Sequence, residues 1–296
     1  MRIVLTGSSG RLGRAIFNAL APSHTVIGID RSPFSTTHLI GDFTDAALLR
    51  QALTGADAVV HCAALHAPHV GTVSDDEFRR VNVDGTGRLA EAALAAGVKR
   101  LVFTSTTALY GRAVVTGHCT WVDEDTVPQP KSIYHRTKLE AEQILKGMTG
   151  PDLQVRVLRM SRSFPESANV MAVHRLHRGV DIRDVADAHV AALTNGGKDF
   201  QRHIISAGPL FKPEDCDALA IDAASIIRLR APGLAAKFLQ RNWPLPDRID
   251  RVYASKSAGV ILGWHFRFGY DEVFAQLDRE SLEVLPPFAQ SDSRPE

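Results

Sequence analysis

Residues 2–30, RIVLTGSSGRLGRAIFNALAPSHTVIGID, decide the reading of the fold. A β-branched run, RIVLT, breaks into a glycine-rich turn. An apolar pattern of helical period follows, with Leu12, Ile16, Ala19 and Leu20 on one face and Pro22 as its stop. A second β-branched run, TVIGID, closes the unit. Strand, turn, helix and strand in this order make a crossover whose two strands lie parallel.

The three glycines have separate tasks: Gly7 permits the tight turn, Gly10 lets backbone approach a pyrophosphate, and Gly13 lets the helix pack on the strand. Ser9, Arg11 and Leu12 stand among them at the helix start, where amides and the helix dipole favour phosphate. A glycine turn can also be merely structural, and the second strand adds the deciding feature. Asp30 ends that strand 20 residues after Gly10, where a carboxylate accepts bonds from the adenosine ribose hydroxyls. A carboxylate there repels a 2′-phosphate, so NAD is expected over NADP, with Arg31 and Arg11 softening the preference. Asp42 and Phe43 read either as flanks of the adenine or as a turn residue and a core ring.

Further along, AVVHCAA, RLVFTS and QVRVLRM alternate with helical patterns, one opening at Ser74 with Glu77 as a capping box and closing at Gly97, another running from Ser132 to Gly147. A polar, proline-bearing stretch from Val114 to Lys131 reads as loop. Strands alternating with helices predict an α/β protein, a Rossmann-type doubly wound parallel sheet with a small C-terminal substrate lobe. The expected division is a nucleotide-binding domain over 1–160, a mixed lobe with returns to the sheet over 161–285 and a polar tail over 286–296. Asp184 and Asp187 bracket a helix start and read as caps.

Thirty-four basic against 33 acidic residues leave a formal charge of +1, which argues against a surface built for nucleic acid and favours a small-molecule partner. Cys62, Cys119 and Cys216 lie far apart in sequence without a CxxC pairing, so neither a disulfide framework nor a metal site is expected. Arg2 to Thr6 reads as strand and leaves no room for a leader, and no apolar run approaches the roughly 20 residues of a membrane span. The expected place is the cytoplasm.

Tyr134 and Lys138 stand four residues apart on a helix and so share a face. That spacing is common by itself. Here it follows, in order, TGSSGRLG, Asp30, VNVDGT with Asn82 and FTSTTALYG with Thr106. With these motifs the sequence resembles the extended short-chain dehydrogenase/reductases, the NAD-dependent epimerase/dehydratase family that includes UDP-glucose 4-epimerase. Later segments, VDIRDVADAHVAAL and YASKSAGVILGWHFRFGYDEVF, are also similar to the family, although its usual proline after Trp264 is absent.

The resemblance implies Tyr134 as acid/base, Lys138 as the holder of the nicotinamide ribose, and Thr106 as the hydroxyl that bonds the reacting oxygen. Ser105 is the neighbour should the register slip by one. Ala63, Ala64, Asn82, Thr104 and Met160 are expected along the cofactor; His66, Thr107, Arg162, Asn169 and Arg175 join Thr106 around the substrate. The chemistry suits these types. A Tyr of pKa ~10 costs about 4 kcal/mol to ionise at pH 7 unless cations stand nearby, and Lys138 and an oxidised nicotinamide supply them. His61 and Cys62 read as satisfied core groups.

Only 25 positions separate Arg159 from Asp184, where sugar-nucleotide members place several dozen residues, and Met160 replaces the family's proline. Uronate dehydrogenases share that compression and act on free sugar acids. The expected activity is therefore NAD-dependent hydride transfer on a sugar-like or other small hydroxylated substrate. The alternatives are a nucleotide-sugar epimerase and a non-catalytic dinucleotide-binding regulator. The family also implies a homodimer built on the helices at 74–97 and 132–147.

Overall fold

The computed structural model describes residues 1–289, so the end of the expected tail lies outside the described residues. Seven strands form one wholly parallel sheet: β1 (Arg2–Thr6), β2 (Thr25–Asp30), β3 (Leu39–Ile40), β4 (Ala58–His61), β5 (Arg100–Thr106), β7 (Gln154–Met160) and β8 (Phe200–Ile205). Their order is β3-β2-β1-β4-β5-β7-β8. The chain therefore winds one way from β1 to β3 and then returns past β1, leaving a crevice between the C-terminal ends of β1 and β4, where such sheets bind ligands.

Helices α1 (Arg11–Leu20) and α7 (Ile182–Thr194) cover one face; α2 (Ala46–Leu53), α4 (Gly85–Ala95) and α5 (Ile133–Gly147) cover the other. Each covering helix buries an apolar stripe against Val and Ile side chains of the sheet: Ile16 and Leu20 of α1 meet Ile3 and Leu5, and Leu89 of α4 lies with Val4 and Val59. A separate core around Phe211, Leu234, Phe238, Trp243 and Phe274 forms beyond the sheet, built from α6 (Ala168–His174), α8 (Cys216–Leu219), α9 (Ala223–Arg230), α10 (Pro232–Gln240) and α11 (Tyr270–Asp278).

Four local expectations change. The helix expected from Ser74 to Gly97 is α3 (Asp75–Arg79) and α4 joined by a π-helical turn at Arg80–Asp84. Only half of the capping box forms: Ser74 accepts from the Glu77 amide, while the Glu77 carboxylate turns to Arg80. The Val114–Lys131 loop contains β6 (Thr120–Val122), paired in parallel with β9 (Arg251–Tyr253), a partner too distant in sequence to be read locally.

The cap of α7 is Asp181, not Asp184 or Asp187. Asp184 instead accepts the amides of Arg267 and Phe268 at 2.9 and 3.0 Å, and Asp187 pairs with Arg267. These acids fasten the segment after Trp264 to the sheet layer, and the Trp264 indole donates to the Asp184 carbonyl at 2.9 Å.

Candidate active site

A cavity of about 540 Å³ runs along the C-terminal edge of the sheet. The first turn shapes one end. Gly7 has φ +76°, and a Cβ there would lie 2.7 Å from the Ala63 nitrogen; a Cβ on Gly13 would lie 2.0 Å from the Gly7 carbonyl oxygen. Only glycine lets β1, β4 and α1 approach this closely. Ser9, Gly10, Arg11 and Leu12 follow on the cavity wall at the start of α1. The Arg11 guanidinium bridges the Ser163 carbonyl and Glu283, tying the glycine turn to the distal lobe.

Asp30 accepts the amides of Ser9 and Ser32, each at 3.0 Å, and stands on the wall beside Arg31. Asp42 and Phe43 line the same end. The structure shows the turn and core reading directly, for Phe43 is core, tilted against His61 at 4.9 Å, and Asp42 bonds the Thr44 amide.

Ala63 and Ala64 follow β4 on the wall, and Thr104, Thr106 and Thr107 come from β5 and the turn after it. From the opposite side α5 presents Tyr134 and Lys138 one turn apart, positioned by Ser132, whose hydroxyl caps the helix. Lys138 is buried, its ammonium donating to the Thr104 carbonyl at 2.7 Å and lying 4.3 Å over the Phe103 ring. Burial brings its pKa down to about 8, with Cys62 and Glu142 opposing the fall. The Thr106 hydroxyl accepts the Ala108 amide at 3.1 Å, which fixes its rotamer at the cavity rim.

The alternatives are spent elsewhere. Ser105 borders the same wall, but its hydroxyl donates to Glu142 at 2.6 Å. Tyr110 is fully buried between Arg159 and the Asp123 carbonyl, and burial raises its pKa. His61 is bonded to Thr6 and Thr86 and held neutral by burial. Burial likewise pushes the Cys62 thiol up to about 11.

Met160, His66 and Arg162 also line the wall. His66 is driven down to about 4 by burial and by neighbouring His69 and Lys138. Arg162 pairs with Glu166 at 2.8 Å; burial opposes that carboxylate, yet bonds from His174 and Arg162 bring it to about 2.

Three expected contacts do not reach the cavity. Asn82 is buried, spending its amide on both backbone groups of Leu65 and on Thr137, so it clamps the loop after β4 to α5. Asn169 faces a second hollow of about 470 Å³ and accepts the Phe288 amide. Arg175 is buried against Asp181 at 3.1 Å. Asn169 lies on α6 and Arg175 is the residue that ends it, and neither lines the cavity.

Conversely, Arg178, Arg251 and Tyr253 line the wall without having been expected there. The alternation RVY carried a signal for the last two, since a strand puts Arg251 and Tyr253 on one side and Val252 in the core. Among the described lining residues, the acids Asp30 and Asp42 both stand at the β2–β3 end, whereas Arg162, Arg178, Arg251 and Lys138 gather at the other.

The doubly wound sheet, the glycine turn at its switch point and the acid ending β2 define a dinucleotide-binding Rossmann-type protein. Residues 3–173 match the NAD dependent epimerase/dehydratase family, and the chain belongs to it. It is 37% identical over 111 residues to an uncharacterized protein of Mycobacterium tuberculosis, covering 36% of this chain and 12% of that one. It is 32% identical to dTDP-4-dehydrorhamnose reductase of Mycolicibacterium smegmatis over 66% of this chain and 57% of the relative. The chain thus spans less than two thirds of the length of these curated relatives. A short-chain dehydrogenase/reductase superfamily protein from Agrobacterium tumefaciens, solved with bound NAD, superimposes with a TM-score of 0.70 at 22% identity, covering 95% of this chain and 98% of the other.

Proposed function

We propose that the protein is an NAD-dependent oxidoreductase that moves hydride between the nicotinamide and a hydroxyl-bearing carbon of a small, sugar-like substrate. The observation that carries this reading is the convergence of Thr106, Tyr134 and Lys138 on one cavity whose far end holds Asp30 and the glycine turn. Asp30 would receive the adenosine ribose, the amides from Ser9 to Leu12 the pyrophosphate, and Lys138 the nicotinamide ribose. NAD, when bound, accepts or supplies the hydride. Tyr134 takes the hydroxyl proton, its ionised form favoured by the Lys138 ammonium, while Thr106 orients the oxygen. The arginines at that end suit a substrate bearing negative charge.

One feature favours a second reading, a nucleotide-sugar epimerase with retained NAD: Arg178 borders both the main cavity and the second hollow, which offers room for a nucleotide handle. A single experiment separates the two. The protein is incubated with sugars, sugar acids and nucleotide sugars, with NAD and with NADP, and both reduced cofactor and sugar products are followed. Net NADH, with NADP giving lower rates because of Asp30, is the expected result. Isomerised product without net NADH would establish the epimerase instead, and cofactor binding without any turnover would leave a regulator.

We further propose a homodimer packed through α4 and α5, in a reducing compartment that suits three free thiols. Light scattering at micromolar concentration should give twice the 32.2 kDa chain mass; a monomeric mass would exclude it. No helix among the described residues is long and apolar enough to cross a membrane.

A further inference from the structure

Below the cavity lies a buried polar cluster that the proposed chemistry does not use. Glu142 stands on α5 one turn beyond Lys138, and its carboxylate accepts three bonds: from Ser105 at 2.6 Å, and from the Arg159 Nε and Nη2 at 3.0 and 2.6 Å. Arg159 uses its remaining Nη1 on the Tyr110 hydroxyl at 2.7 Å, and that hydroxyl donates to the Asp123 carbonyl. All four side chains are at most 3% exposed. Ser105 and Arg159 are direct register partners on β5 and β7, each the residue before a cavity residue, Thr106 and Met160. The cluster therefore joins α5 and β5, which carry the proposed reacting groups, to β7, at the point where each enters the wall.

An ion pair of this kind brings no assured stability, since two apolar side chains of similar volume often do as well. Two features point beyond packing. The fork of Arg159 and the Ser105 hydroxyl fix the Glu142 carboxylate in direction as well as place. That carboxylate is also the acid on the same helical face as Lys138, at the spacing where side chains meet.

We propose that Glu142 and Arg159 are positioning residues of the site: the pair locks Tyr134 and Lys138 in register with Thr106, and the Glu142 carboxylate keeps the buried Lys138 ammonium charged. Among the described residues, Glu142 and Cys62 are the groups that support the Lys138 charge, and Glu142 is the carboxylate of the two. His61 on β4 and His66 in the loop after it are both driven neutral by burial, and the Cys62 thiol is pushed too high to ionise at neutral pH. β5 offers the Phe103 ring and the Thr104 carbonyl, with His189 of α7 behind Thr104 and also lowered by burial. Tyr134 lies on α5 itself. For Arg159, burial works against the guanidinium, and its bonds to Glu142 outweigh that and raise its pKa.

The inference rests on the proposed role of Lys138, but its test needs no substrate. Protein carrying lysine labelled with ¹³C at Cε is titrated by NMR, the Lys138 signal being assigned by its loss in Lys138→Met. In the unmodified protein Lys138 should titrate near 8. Glu142→Gln removes the attraction and leaves Arg159 uncompensated, so Lys138 should titrate about one unit lower; Arg159→Met leaves the carboxylate unpaired, so Lys138 should titrate higher. The variants break the pair from opposite sides, and either one that folds decides the matter. A purely structural pair would lower the melting temperature in both and leave the Lys138 titration within about 0.3 unit of the parent, which would overturn the proposal. Failure of the catalytic reading would show separately, as turnover that survives Tyr134→Phe.

Discussion

Tyr134→Phe is expected to fold, bind NAD as the parent does and lose turnover by a factor of about 10² to 10⁴, the range for removing a positioned acid/base. The substitution takes away one oxygen and keeps the ring that packs against the sheet-side core. Binding of the cofactor is proposed to rest on the glycine turn, Asp30 and Lys138, none of which the change touches. Lys138→Met should differ in kind. It removes the charge that favours a phenolate and the proposed ribose contact together, so both turnover and NAD affinity should fall. In the parent, the ammonium that makes both contributions is lost as the pH rises through about 8 in the cofactor-free protein. NAD titrations followed by fluorescence, paired with initial rates once a substrate is in hand, separate the two variants. Near-normal turnover by Tyr134→Phe at every pH would remove the assignment, and the buried setting of Tyr110 means that no other tyrosine on β5 or its turn inherits the role.

The glycine turn should give the second large effect, with a sharp contrast between two of its members. A Cβ on Gly13 would lie 2.0 Å from the Gly7 carbonyl oxygen, 2.8 Å from its carbon and 2.9 Å from the Ser8 Cα, all backbone atoms that have no rotamer to change. Gly13→Ala must therefore lift α1 off the turn, at an overpacking cost of about 1–3 kcal/mol. Both the melting temperature and the NAD affinity should drop, the latter by roughly tenfold or more at about 1.4 kcal/mol per decade. A Cβ on Gly10 meets only the Gly7 carbonyl, at 3.4 Å, and Gly10 has φ −65°. Gly10→Ala should thus leave melting nearly unchanged while NAD affinity falls, because the space it fills faces the cavity where the pyrophosphate is proposed to lie. Calorimetric melting with and without NAD checks both; equal losses of stability in the two variants would show that the turn does not divide its tasks in this way.

Much of the candidate site was legible because its signals are local. The strand–turn–helix order, the acid at the end of β2, the Tyr134/Lys138 spacing and the helix start at Ser74 each depend on residues within a few positions of one another. The substrate side was less legible. Arg162 and His66 lie on the wall, whereas Asn169, on α6, and Arg175, at its C-terminal end, do not line it. Arg178, Arg251 and Tyr253 went unexpected because nothing near them in sequence says that β9 pairs with β6 beside the cavity.

By itself, then, the sequence determined the parallel α/β sheet, the glycine turn and acid at one end of the cavity and the Tyr134/Lys138 pair on its wall, since backbone periodicity and glycine sterics act over a turn or two of chain. Only the tertiary structure decided which side chains satisfy one another. Asn82 bonds Leu65 and Thr137 away from the cavity, Asp184 takes the amides of Arg267 and Phe268 where a helix cap was expected, and Glu142 meets Ser105 and Arg159. A buried polar group must find a partner at whatever sequence distance the fold supplies one, and that distance is not written in the residue's neighbours.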